Sequence, residues 1–153
     1  MKSLREIHLN KTSKLSDKWN IYLDIYDKEL KEYRSKNISL LEIGVQNGGS
    51  LDTWIDFFPK CKNIVGCDIN SDVLKLEYED HRVKIFNKDA TNLEELLEVC
   101  DYCSYDIILD DGSHKSGDII KTFCHLFPKL NDEGCFIIED LHCSYWKEFD
   151  GGI

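Results

Sequence analysis

Two apolar runs in this chain stop abruptly at carboxylates. Tyr105-Asp106-Ile107-Ile108-Leu109 leads into Asp110-Asp111-Gly112-Ser113-His114, and Cys135-Phe136-Ile137-Ile138 leads into Glu139-Asp140-Leu141-His142. Runs of this kind, bounded by turn residues, read as buried strands. Charged groups are expensive at the end of a buried strand unless a cation, a donor or solvent meets them. Such acids can accept hydrogen bonds from a ligand, hold a hard cation through oxygen, or stand as solvated strand ends. A histidine three residues past one of them, as His114 is past Asp111, is a candidate general base. His142 is the next candidate, while His8, His81 and His125 have no comparable context.

The elements that position these groups follow from the rest of the pattern. Ser39–Val45, Asn63–Asp68, Val83–Asp89, Tyr105 onward and 135–141 read as five strands. Helical segments alternate with them: one from Leu51 to Phe58 closed by Pro59, a short one from Ser71 to Tyr78, one opened by a capping box at Thr91-Asn92-Leu93-Glu94, and one from Ser116 to Phe127 closed by Pro128. Asn131-Asp132-Glu133-Gly134 reads as the turn into the last strand. Ahead of the first strand the pattern is helical from Ser16, with Trp19, Tyr22, Leu23, Tyr26, Leu30 and Tyr33 on one face, an aromatic stripe fit for core packing or for the wall of a ligand pocket. Residues 1–15 are polar, lysine-rich and unpatterned, and are expected to form an arm before a domain spanning 16–153. Strands alternating with helices predict an α/β fold with a doubly wound, mostly parallel sheet, all strand C-termini along one edge. That edge gathers Gly44, Gly48, Asp68, Asp89, Asp110, Asp111, Glu139 and Asp140.

The loop after the first strand narrows the ligand. Its spacing, Gly44-x-x-x-Gly48-Gly49, is not the GxGxxG dinucleotide fingerprint, which disfavours a nicotinamide-dependent oxidoreductase. Glu42, two residues before Gly44, would repel a pyrophosphate and attract an ammonium group. S-adenosylmethionine (SAM) carries an ammonium, and its carboxylate suits the following helix N-terminus. Asp68, at the tip of the second strand, can accept two ribose hydroxyls, and Asp89, at the tip of the third, is placed for the adenine amino group.

Composition sets the outer bounds. The chain has 153 residues, of which 31% are charged and 42% hydrophobic, enough for one domain with a real core. A net charge of −10 argues against nucleic-acid or anionic-membrane partners. No apolar run reaches membrane-spanning length and the N-terminus lacks a signal-peptide core, so the expected location is cytoplasmic. Seven cysteines, an odd number, read as reduced thiols, and the Cys100-x-x-Cys103 pair has no second CxxC with which to build a four-thiolate site.

Leu40-Leu41-Glu42-Ile43-Gly44-Val45-Gln46-Asn47-Gly48-Gly49-Ser50 resembles motif I of class I SAM-dependent methyltransferases, and Ile64-Val65-Gly66-Cys67-Asp68-Ile69 resembles their second motif. Asp110-Asp111-Gly112-Ser113-His114 with Glu139-Asp140-Leu141-His142-Cys143-Ser144-Tyr145-Trp146 is similar to the metal-dependent O-methyltransferases of macrolide sugars. The resemblance implies a Rossmann-like sheet in the order 3-2-1-4-5 and the cofactors SAM and Mg²⁺ or a similar cation. It implies Asp111, Glu139 and Asp140 as metal ligands, Asp110 on the cofactor side or orienting the turn, and His114 as the base acting on a metal-acidified hydroxyl. The acceptor would be a sugar or another small hydroxyl compound; self-association is open. Methyltransferases of this class continue past the fifth strand into a final antiparallel pair, missing here, so a fragment of a longer protein is expected. The rival reading is a SAM-binding module inactive until a partner chain completes it.

Overall fold

A computed structural model describes residues 1–12 and 14–152. Five strands, β1 (Ser39–Ile43), β2 (Asn63–Asp68), β3 (Val83–Asn87), β4 (Tyr105–Asp110) and β5 (Leu130–Ile138), form one sheet in the order β3-β2-β1-β4-β5. Every pairing is parallel. The central strands alternate between two buried faces, as a period of two requires. Leu40, Ile64, Ile107 and Leu109 face one core; Leu41, Val65 and Ile108 face the other. On the first face pack α1 (Leu4–Asn10), α2 (Asn20–Glu29) and α3 (Gly49–Phe57), which contribute Leu4, Leu23, Tyr26, Leu51, Trp54 and Phe57. On the second lie α4 (Leu93–Tyr102) and α5 (Ser116–Leu126), through Leu96, Val99 and Leu126.

Several local expectations change. The N-terminal stretch read as an unpatterned arm contains α1, capped by Ser3 and Glu6 in a reciprocal capping box, with Leu4 and Ile7 buried. The helix expected from Ser16 begins only at Asn20, and residues 15–19 run without helical structure along the C-terminal edge of the sheet. The segment from Ser71 is a single 3₁₀ turn, Ser71–Lys75. Asn92, not Thr91, caps α4, accepting from the Glu94 N–H; Thr91 instead donates both its N–H and its hydroxyl to Asp89. The turn expected at 131–134 is a bulge inside the last strand: β5 starts at Leu130, and the register jumps from Tyr105 opposite Leu130 to Ile107 opposite Cys135. Glu133 absorbs the bulge at φ 63. Among the described residues no helix is long and apolar enough to cross a membrane.

Candidate active site at the C-terminal edge of the sheet

A cavity of about 580 Å³ opens along the C-terminal edge of the strands. Gly44, Asp68, Asp89, Asp110, Asp111, His114, Glu139 and Asp140 line it, so most of the residues singled out by the sequence meet there. Glu42 and Gly48 do not line it. Gly48 is the left-handed N-cap of α3, and its carbonyl accepts from the Tyr78 hydroxyl at 2.7 Å, whereas Gly44, Val45, Gln46, Gly49 and Ser50 of the same loop reach the wall. Gly44 is needed for a different reason. At φ 86 a side chain there would be strained, and a Cβ would lie 2.1 Å from the Asp111 carbonyl oxygen, so the β1 and β4 loops pack backbone to backbone.

At the β2 and β3 tips the carboxylates are tied to the backbone. Asp68 accepts from the Val45 and Gln46 N–H groups at 2.8 and 2.9 Å and from the Asn70 N–H at 2.8 Å, which fixes the first loop against β2. Asp110 is buried at the β4 tip. One oxygen accepts weakly from the Gly112 N–H at 3.3 Å, and the other has no protein partner. Burial pushes its carboxyl up to about 6, against the pull of the Gly112 N–H and His114.

The acids at the β1, β4 and β5 ends divide into an inner and an outer set. The inner set is Glu42 and Glu139, with side chains 0% and 4% exposed. Between them and Asp111 sits the Lys18 ammonium, 5% exposed, at 3.2 Å from Glu42, 2.5 Å from Glu139 and 2.7 Å from Asp111. Glu42 also accepts from the Trp54 indole N–H at 3.0 Å, and Glu139 from the Tyr26 hydroxyl at 2.5 Å. Burial works against the Lys18 charge, but the three carboxylates outweigh it and hold Lys18 as an ammonium well above its ordinary range. Burial likewise lifts Glu139 to about 7, against the pull of Lys18. Glu42, expected at the ligand's ammonium, is thus committed to Trp54 and Lys18.

Asp111 and Asp140 form the outer set, with side chains 25% and 21% exposed. His114 Nε2 lies 3.8 Å from an oxygen of each. One ligand-capable atom from each of Asp111, His114 and Asp140 falls within 4.8 Å of the others. Both His114 and Asp140 are in the left-handed region, at φ 58 and 54, which turns their side chains back over the strand ends. Tyr22 donates to Asp140 Oδ1 at 2.6 Å, and burial with Asp140 raises its phenol to about 12. His142 stands outside, 3.9 Å from Asp140 and packed between the Trp19 and Trp146 rings. The sequence reading missed Lys18 and the hydroxyls of Tyr22 and Tyr26. One signal was available: a core stripe that uses tyrosine where phenylalanine would pack equally well must end its hydroxyls on partners.

Comparison with known proteins places this geometry. No protein-family model matches the chain. It is 34% identical over 145 residues to the 8-demethyl-8-alpha-L-rhamnosyl tetracenomycin-C 2'-O-methyltransferase of Streptomyces olivaceus, covering 89% of this chain and 38% of that one. It is 34% identical over 134 residues to the mycinamicin VI 2''-O-methyltransferase of Micromonospora griseorubida, covering 82% and 33%. Its structure superposes on the MycE methyltransferase of the mycinamycin biosynthetic pathway, solved with Mg and S-adenosylhomocysteine (SAH), with a TM-score of 0.85 at 30% identity over 98% of this chain and 42% of that one. Its homologues are sugar O-methyltransferases of the MycE type. The five-stranded 3-2-1-4-5 sheet matches the corresponding part of the MycE fold. The chain spans a little over a third of the length of the curated relatives it matches.

Proposed function

We propose that this chain carries the cofactor and metal half of a SAM-dependent sugar O-methyltransferase. The observation that carries the reading is the meeting of Asp111, His114 and Asp140 beside a cavity that begins at Gly44 and Asp68. The donor set fits a hard cation: Mg²⁺ is commonly held by one or two carboxylates, with water and substrate completing its shell. Asp111 and Asp140 would hold the ion. Glu139, expected as a third ligand, is turned toward Lys18 and Tyr26 and in this proposal supports the ligands from behind. When bound, the ion would acidify the acceptor hydroxyl.

His114 is the base. Its position 3.8 Å from an oxygen of each outer carboxylate supports this role. It takes the hydroxyl proton as the acceptor oxygen forms its bond to the methyl carbon, and the carbon–sulfur bond of SAM breaks to leave the neutral thioether. Asp68, its carboxylate fixed by three backbone N–H groups, keeps lone pairs for the ribose hydroxyls; Asp89 stands at the adenine end. The unpartnered oxygen of Asp110 would accept from donor groups of the bound cofactor. By their names the relatives methylate ring hydroxyls of sugars attached to polyketides, and a sugar hydroxyl of that kind is the proposed acceptor.

Calorimetry with SAH and with NADH, each with and without Mg²⁺, tests the ligand class. Radiolabelled methyl transfer from SAM to a rhamnosylated polyketide tests the reaction. SAH binding with Mg²⁺-dependent transfer is expected. Binding of NADH in place of SAH would defeat the reading.

A further inference from the structure

Asp111, Glu139 and Asp140, just past the β4 and β5 ends, are each gripped from behind by a donor of one short stretch of chain. Lys18 holds Asp111 Oδ2 at 2.7 Å, leaving Oδ1 directed to His114. Tyr22 holds Asp140 Oδ1 at 2.6 Å, leaving Oδ2 directed to His114. Tyr26 holds Glu139 at 2.5 Å, and Lys18 bonds to that same oxygen. The three donors lie four residues apart in sequence: Tyr22 and Tyr26 share one face of α2, and Lys18 comes from the non-helical stretch just before it, so one short segment presents an ammonium and two phenols. Trp54 completes the cage by holding Glu42, whose other oxygen faces Lys18.

We propose that Lys18, Tyr22 and Tyr26 are positioning residues: a ladder of donors that fixes the inner oxygens of the acid cluster so that one free oxygen of Asp111 and one of Asp140 converge beside His114. This inference rests on the metal reading and deepens it. Free carboxylates at two strand ends would rotate and repel each other. With one oxygen of each pinned, the other is held near its ligating position before any cation arrives, and the cation need not supply the cost of ordering it. Lys18 adds charge balance. Its ammonium offsets the buried Glu42 and Glu139, leaving Asp111 and Asp140 to meet a divalent ion.

Tyr22→Phe is the decisive variant, because it removes one oxygen atom and keeps the ring packing. Mn²⁺ binding, followed by calorimetry and by electron paramagnetic resonance on the chain, is expected to weaken by about 10- to 100-fold, with SAH affinity unchanged. Lys18→Met is expected to weaken Mn²⁺ at least as much, measured well below its melting temperature. Tyr26→Phe, which touches only Glu139, is expected to lose less than Tyr22→Phe. A merely structural role would lower melting temperatures without moving Mn²⁺ affinity. Mn²⁺ binding equal to wild type in both Tyr22→Phe and Lys18→Met would overturn the ladder and leave the proposed function standing. A wild-type chain that binds no Mn²⁺ would overturn both.

Discussion

The inner and outer carboxylates lie within one cluster yet are built on opposite principles. Glu42 and Glu139 are almost fully buried, and their carboxylates are held by fixed donors of the protein: Lys18, Trp54 and Tyr26. Asp111 and Asp140 each give one oxygen to such a donor and present the other to the cavity and His114. The inner pair stabilises a shape, whereas the outer pair is left underused by the fold. Within this cluster the proposed ligands are thus distinguished by their unspent oxygens and not by their charge.

Removing the proposed base should affect the outer side alone. His114→Ala is expected to lower methyl transfer by about 10²- to 10⁴-fold, with urea-denaturation stability close to wild type. Transfer at the wild-type rate across neutral pH would remove His114 from the mechanism. Removing the inner cation should do the reverse to stability. Lys18→Met leaves buried carboxylates facing one another and is expected to cost about 3–5 kcal/mol, read by urea denaturation in EDTA. A loss under 1 kcal/mol, on the order of an exposed ion pair, would show that the inner set is not sealed.

The smallest effect is a pH slope. Glu139 titrates near 7 in the folded chain against an ordinary value of 4.5, so the folded state holds a proton that the unfolded state releases between those values. Stability of the metal-free chain should thus fall as pH rises from about 4.5 to about 7, by no more than about 1.4 kcal/mol per pH unit for this one proton. Asp110, lifted to about 6, adds the same sign at the lower end of the window. Glu139→Gln should flatten the upper part of the slope, and an unchanged slope in that variant would assign it to another group.

Much of this organisation was legible before the structure. The alternation of apolar runs with helices, most of the runs ending in acids, carries the parallel sheet and its acidic edge, while the 3-2-1-4-5 order came with the resemblance of the motifs to class I methyltransferases. Asp111, His114 and Asp140 were legible because the turn chemistry that aims them, a glycine and short polar residues, sits beside them. Lys18 was not. It lies at the start of the stretch read as helical from Ser16 but off its aromatic face, and its partners are Glu42, Asp111 and Glu139, brought to it only by the closed sheet. The partners of Glu42 were hidden for the same reason: its position near a strand end suggested the cavity, and its carboxylate meets Trp54 from α3 and Lys18. The helix expected from Ser16 starts late because residues before Asn20 do not follow its axis and instead carry Lys18 down between the acids.

His114 and Asp140 both occupy backbone conformations in which glycine is the residue at ease. Each position gives up on the order of 1 kcal/mol of folding stability to place a side chain. A library of variants selected for heat resistance alone should therefore accept glycine at 114 and 140 early, and the survivors would keep the fold while losing the chemistry. Where a chain holds out against its own most stable sequence is a map of what it was selected to do.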